Sequence, residues 1–250
     1  MCGTGRHSVA IADTGVGTLD RAVAILDAVE SGVHRFTGIM DATGLPRGTT
    51  HRLIASLERH GFLSRYPGFG YRVGPRLLRL AHEAMRELPL RDVAHPSIER
   101  LARVTGESAQ LYVRSGDERV CVDAVESRSE LRTIVPVGAS LPLHAGSAAK
   151  VFLAFAPPDR GRHVRKAADP VRFGRDVDLV RTRGWASSVD ERQQGVGSVS
   201  APILDDRDVL LGVVSISGPS SRMSKSNAKR YVPAVQEAAR RIESALRVPG

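Results

Sequence analysis

The sequence predicts an α+β protein in two parts, an N-terminal winged helix-turn-helix and a larger C-terminal domain built on antiparallel strands. Three observations carry this. Residues 36–72, FTGIMDATGLPRGTTHRLIASLERHGFLSRYPGFGYR, set two short helical patterns and a hairpin pattern in immediate succession. Later strand-like runs come in pairs around polar turns, Ser115-Gly116-Asp117-Glu118 and Asp205-Asp206-Arg207-Asp208. Helical patterns flank those runs without the regular βα alternation of a parallel sheet.

Residues 1–17 read as a disordered tail. From Thr18, a candidate N-cap, Leu19, Ala22, Val23, Leu26 and Val29 keep helical spacing, and Gly32 stops the helix. A short apolar helix (Ile39, Met40, Ala42) ends at Gly44, suited to the left-handed conformation that closes a helix. Leu45 is placed to plug the core, and Pro46 sits at the first turn of the next helix, where proline is tolerated. That helix carries Thr50, Leu53, Ile54 and Leu57 at i, i+3, i+4 and i+7, an apolar stripe. Its other face shows Arg47, Thr49, His51 and Arg52. Phe62–Tyr66 and Tyr71–Val73, around Pro67-Gly68-Phe69-Gly70, complete a hairpin wing. A helix with a polar, basic face held in this arrangement is suited to a DNA major groove.

The charge distribution agrees. The 250 residues carry a net charge of +9, and between Pro46 and Arg79 seven arginines meet one acid, Glu58. Such a concentration is the electrostatic footprint of phosphate contact. Arg47 and Arg52 are candidates for base or phosphate contact, with Thr49 and His51 beside them, and Gly48 lets the helix approach the groove closely. In the wing, Arg65, Tyr66 and Arg72 are candidates for backbone or minor-groove contact. The expected partner is a double-stranded DNA operator.

Other classes fall away. Cys2 and Cys121 are far apart and build neither a disulfide framework nor a metal site. His144 is the only histidine in a promising position, and no H-x-x-H or Cys/His cluster completes a metal site, so no metal and no cofactor is expected. No apolar run is long enough to span a bilayer, and the N-terminus lacks a signal-peptide pattern, so a cytoplasmic protein is expected.

After the wing, Pro75 opens RLLRLAHEAMREL, a linker helix whose apolar stripe (Leu77, Leu78, Ala81, Met85, Leu88) can pair with a second copy or pack on its own domain. The second domain then reads as a helix at 92–104, strands at 108–113 and 119–125, and a helix from about 145 to 155. A Pro- and Arg-rich stretch at 157–176 holds a short helix with loops; strands at 198–204 and 210–217 and a last helix at 225–246 follow. The expected boundaries are 1–17, 18–74, 75–89 and 90–247.

Four segments in this order resemble one family. GLPRGTTHRLIASLERHGFLSR, VGASLPLHAGSAAKVFLA, RGWASSVDERQQGVGSVSAPI and VVSISGP are similar to motifs of the IclR family of bacterial transcription regulators, over residues 18–246. The variants AGSAAK and GVGSVSAP look most like an actinobacterial subgroup associated with leucine and other amino-acid biosynthesis genes. The resemblance implies a homodimer or dimer of dimers, with a profilin- or GAF-like effector-binding domain behind the winged helix. It also implies a ligand near the backbone amides of Ser147 and Ala148, lined by Ser188, Ser198, Ser215 and Ser217, with Leu141 and Val196 apolar. A helix start with small residues is a natural seat for a carboxylate, and the hydroxyls suit a small amino or keto acid. The chain departs from the pattern at Ser188, where family members that bind small keto acids can carry an acidic residue.

A rival reading comes from Ser147-Ala148-Ala149-Lys150, which spells the S-x-x-K of penicillin-recognising serine enzymes. Its companion motifs S-D-N and K-T-G are absent. On that reading the chain would be a hydrolase or small-molecule sensor whose winged helix docks on proteins; the expectation taken forward is a regulator without catalytic residues.

Overall fold

The structure, a computed structural model, describes residues 9–86, 89–155, 160–224 and 226–247. The first half of the expected tail, with Cys2, lies outside them. The chain divides into two units, Met1–Glu87 and Leu88–Gly250.

In the first unit, helices α1 (Gly17–Glu30), α2 (Phe36–Thr43) and α3 (Arg47–Arg59) precede the wing strands β1 (Leu63–Tyr66) and β2 (Gly70–Val73), and α4 (Pro75–Arg86) follows. Thr18 lies inside α1 and does not cap it. The helix start is held instead by Asp20, which accepts from the amide and hydroxyl of Thr14. Gly44 is left-handed (φ 66°) and its amide donates to the Met40 carbonyl, so the chain leaves α2 in a tight turn. Ile25, Val29, Ile39, Leu45, Ile54, Leu57 and Leu63 are buried together. Each contributes about 1.5–3 kcal/mol by leaving water, which sets the three helices at fixed angles. β1 and β2 pair antiparallel with Leu63 opposite Val73 and Tyr66 opposite Gly70. Gly70 therefore belongs to a strand, not to the turn expected from sequence.

The second unit is one six-stranded antiparallel sheet in the order β5-β4-β3-β8-β7-β6. Its strands are β3 (Ser108–Ser115), β4 (Glu118–Val125), β5 (Ser140–Pro142), β6 (Ala186–Val189), β7 (Val196–Leu204) and β8 (Leu210–Pro219). Its helices are α5 (Pro89–Thr105), α6 (Ser147–Phe155), α7 (Arg160–Lys166), α8 (Pro170–Arg183) and α9 (Val232–Leu246). Period-two alternation splits each strand between two cores. Leu111, Val199, Ala201, Val214 and Ile216 face α5 and α9, whereas Tyr112, Cys121 and Val213 share the second core with α6 and α8.

Three sequence expectations change here. The 157–176 stretch contains two helices rather than one, and α8 runs to Arg183. Asp169 caps α8 by accepting from the Arg172 amide at 3.0 Å, Pro170 takes the first turn, and Phe173, Val177 and Val180 are buried along one stripe. Strand β6 was not anticipated. The last helix opens as a 3-10 turn at Asn227–Tyr231, and α9 starts only at Val232, with proline in its first turn. Pro233 has no N–H to give and its ring would clash with the Lys229 carbonyl of a continuous α-helix.

Candidate functional site

Two regions place the residues singled out in the sequence. In the first unit, Arg47, His51 and Arg52 are exposed on α3 and Thr49 is half-buried beside them, while Thr50 turns inward and donates to the Pro46 carbonyl at 3.1 Å. Arg47, Arg52 and Arg65 make no ion pair among the described residues, so their charges face solvent. The His51 ring stands edge-on to Phe36 at 6.3 Å, which fixes its direction. Arg72 differs from the others: it is half-buried, and its guanidinium donates to Nε2 of His34. It braces the wing against the α1–α2 connection. Tyr66 is exposed, and Phe69 at the wing tip is 70% exposed, an apolar tip not singled out from sequence. A Cβ on Gly48 would meet nothing within 4 Å. Gly48→Ala should therefore stabilise the first unit by up to about 1 kcal/mol through helix propensity. With α3 in a major groove, as expected from sequence, the added methyl would occupy the approach surface and operator affinity should nonetheless fall. Thermal unfolding and anisotropy on labelled operator check both halves, and an unchanged affinity would refute the close-approach role.

In the second unit, the α6 side of the sheet carries a row of hydroxyls. The alternation in Val196-Gly197-Ser198-Val199-Ser200 and Val213-Val214-Ser215-Ile216-Ser217 sends every serine to this face, and the register sets Ser188 opposite Ser198 and Ser200 opposite Ser215. A continuous chain results: Ser188 to Ser198 at 2.8 Å, Ser198 to Ser147 at 2.6 Å, Ser147 to Ser200 at 2.7 Å, Ser200 to Ser215 at 2.8 Å. Each hydroxyl can donate or accept, so the chain can reverse its polarity to suit a ligand. Ser217 instead pairs with the Gln110 amide oxygen at 3.2 Å.

This row floors a small, partly open cavity. Ser147, Ala148, Ser188, Val196, Ser198, Ser215 and Ser217 all line it. Leu141 does not; it lies in β5, and its partner across the strands, Arg119, takes the wall. Sequence reasoning missed Tyr112, Arg119 and Arg192, which also line it. The amides of Ser147 and Ala148 belong to the first turn of α6, where no intrahelical acceptor exists, and the positive end of the helix lies with them.

Arg119 is 3% exposed. Its guanidinium donates to the Pro142 carbonyl and stacks over the Tyr112 ring at 5.6 Å, but its Nε has no acceptor. Burial, with Arg192 nearby, pulls its pKa down to about 10, and it remains charged at neutral pH. Burial pushes the Tyr112 phenol up, and takes the Cys121 thiol up to about 12, so neither ionises in the neutral range.

One turn further along α6, Lys150 is fully buried. Its ammonium donates to Asp176 at 2.7 Å, Glu191 at 2.6 Å and the Ser187 carbonyl at 3.0 Å, which takes all three N–H groups. Ser147, three residues earlier, bonds only to other hydroxyls. The S-x-x-K letters thus spell a structural cation and a cavity-lining hydroxyl, with no base hydrogen-bonded to the serine. A wider cleft of about 380 Å³ is lined by His144, Phe173, Asp190 and Glu191, but none of its lining residues is a buried polar group without a partner.

Comparison with known proteins places both units. The family described as "Bacterial transcriptional regulator IclR C-terminal" matches residues 82–244, and the "IclR helix-turn-helix domain" matches residues 18–67. The chain is 34% identical over 248 residues to a glycerol operon regulatory protein of Streptomyces griseus, covering 92% of this chain and 96% of that protein. It is 27% identical to the transcriptional repressor IclR of Escherichia coli (strain K12), covering 91% of this chain and 89% of that one. Among solved structures, an IclR homologue from Microbacterium hydrocarbonoxydans complexed with 4-hydroxybenzoate is similar with a TM-score of 0.78 and 25% identity, over 92% of this chain and 99% of that one.

Proposed function

The chain belongs to the IclR family of bacterial transcriptional regulators, and from that premise we propose that it binds an operator through α3 and the wing, and that a small acid at the N-terminus of α6 changes operator affinity. The observation that carries the second half is the convergence, in one small cavity, of the first-turn amides of α6 and an unbroken hydroxyl chain. A carboxylate satisfies the amides and the helix dipole together. The relative that holds 4-hydroxybenzoate is bound to such an acid.

The protein acts in the cytoplasm as a homo-oligomer. Leu78 and Ala81 of α4 share a helix face and are exposed, an apolar strip that a second copy can cover. In a homodimer the acid favours one arrangement of effector domains over another and alters the spacing of the two α3 helices. It shifts operator affinity only by its differential affinity for the two arrangements.

Arg47→Ala and Arg52→Ala should each weaken operator binding by about 1–3 kcal/mol where the side chain reads a base. Fluorescence anisotropy on an operator duplex at several salt concentrations is the measurement. Wild-type affinity in both variants would contradict the assignment of α3, and a flat salt response would contradict DNA binding by this face.

A further inference from the structure

We infer that Arg119 selects the charge of the effector, and that the pocket takes a short dicarboxylic hydroxy- or oxo-acid and rejects amino acids; this rests on the reading of this cavity as the effector site. A buried guanidinium is ordinarily paired with a carboxylate. Arg119 has a carbonyl, an aromatic face and an Nε without any acceptor, and no carboxylate within ion-pair distance among the described residues. Burying a cation this way is unfavourable unless the missing anion arrives with the ligand.

The position of Arg119 says where that anion sits. A Cβ on Gly146 would lie 3.2 Å from its Nη2, so the guanidinium stands at the very start of α6. One carboxylate can take the Ser147 and Ala148 amides and the Arg119 guanidinium together. Glycine at 146 keeps the space between them open.

A second cation argues for a second acidic group. Arg192 lines the same cavity, and no acidic side chain does. The neighbouring Glu191 is already engaged, with one oxygen on Lys150 at 2.6 Å and the other on the Gly146 amide at 3.3 Å. The β6–β7 loop fixes that division: Asp190 is left-handed (φ 60°) and accepts from the Gly195 amide at 2.7 Å. An ammonium group in this cavity would meet two guanidinia and the positive end of a helix, with hydroxyls as its only side-chain acceptors. A hydroxyl or oxo group meets the serine chain instead, which can turn to donate or accept.

Three acids of similar size separate these terms: tartronate, lactate and alanine, titrated calorimetrically into the full chain. Tartronate should bind at least about tenfold tighter than lactate, and lactate at least about tenfold tighter than alanine, since like-charge juxtaposition weakens binding steeply. Arg192→Met should bring the tartronate-to-lactate ratio close to one. Arg119→Met should abolish binding of both acids without lowering the thermal midpoint, because it removes an unpaired buried charge, and Arg119→Lys should restore part of the binding. If Arg119→Met fails to fold, the Arg192→Met ratio decides. Lactate binding as tightly as tartronate, alanine binding as tightly as lactate, or tartronate binding unchanged in Arg119→Met would overturn the inference. So would inorganic phosphate binding as tightly as tartronate, which would make the site one for oxyanions at large. Operator anisotropy with a broad pool of acids separates the two levels. If another acid shifts it while tartronate does not bind, the effector site stands and the Arg119 selection falls; if no acid shifts it, both fall.

Discussion

Lys150→Ala is expected to destabilise the C-terminal unit by about 3 kcal/mol, the lower end of what breaking a buried ion pair costs. The lower end applies because the partners keep some water: the Asp176 and Glu191 side chains are 30% and 19% exposed, while that of Lys150 is 1% exposed. Removing the ammonium leaves two carboxylates facing each other across a gap under α6, and frees Glu191 from the contact that orients the β6–β7 loop. The loss should therefore appear twice, as a lower midpoint in thermal or denaturant unfolding and as weaker acid binding in the folded fraction. Lys150→Met combined with Asp176→Asn and Glu191→Gln should recover most of the stability, since it removes the stranded charges with the cation. A change below about 1 kcal/mol in Lys150→Ala would mean that the triad does not hold α6 to α8 and the β6–β7 loop.

Gly70→Ala should damage the first unit by a comparable amount, about 3 kcal/mol, through two separate effects. Gly70 has φ +78°, and an L-residue in the left-handed region loses about 1–2 kcal/mol. Its new Cβ would lie 2.2 Å from the His34 carbonyl oxygen, a backbone atom that cannot swing aside; overpacking of this kind adds about 1–3 kcal/mol. That same carbonyl accepts from the Tyr71 amide at 2.8 Å, and Arg72 grips the His34 side chain. One residue thus seats the wing on the α1–α2 connection. Denaturant unfolding followed at the first unit, together with operator affinity, should report a loose wing. Unfolding at the wild-type denaturant concentration would show that the wing is attached by other contacts.

The sequence made the first unit legible because each of its signals is local. Gly44, Pro46 and the i, i+3, i+4, i+7 stripe of α3 act within one or two turns of chain, so their meaning survives without tertiary context. The serines of the pocket came from the family resemblance, and period-two spacing in β7 and β8 explains why Ser198, Ser215 and Ser217 share one face. Arg119 was not legible. It sits in an ordinary strand pattern, Arg119-Val120-Cys121-Val122, and its significance arises only when β5 supplies the Pro142 carbonyl and Gly146 turns α6 toward it. Leu141 illustrates the converse, since motif alignment assigned it to the lining while strand pairing gave that wall to its partner. The arginine-rich stretch 157–176 concealed α8, although Asp169-Pro170 is an N-terminal helix signal and Phe173, Val177 and Val180 keep helical spacing. Composition obscured periodicity there.

The central claim is that one chain couples acid binding at α6 to DNA binding at α3. It is tested most directly by selecting genomic fragments with the purified protein at physiological salt, with and without a pool of short carboxylic acids, and sequencing what is retained. The account predicts enrichment of a short pseudo-palindrome whose recovery changes when the acids are present, and loss of that enrichment in Arg47→Ala. Absence of any enriched fragment, or enrichment indifferent to every acid in the pool, would contradict it.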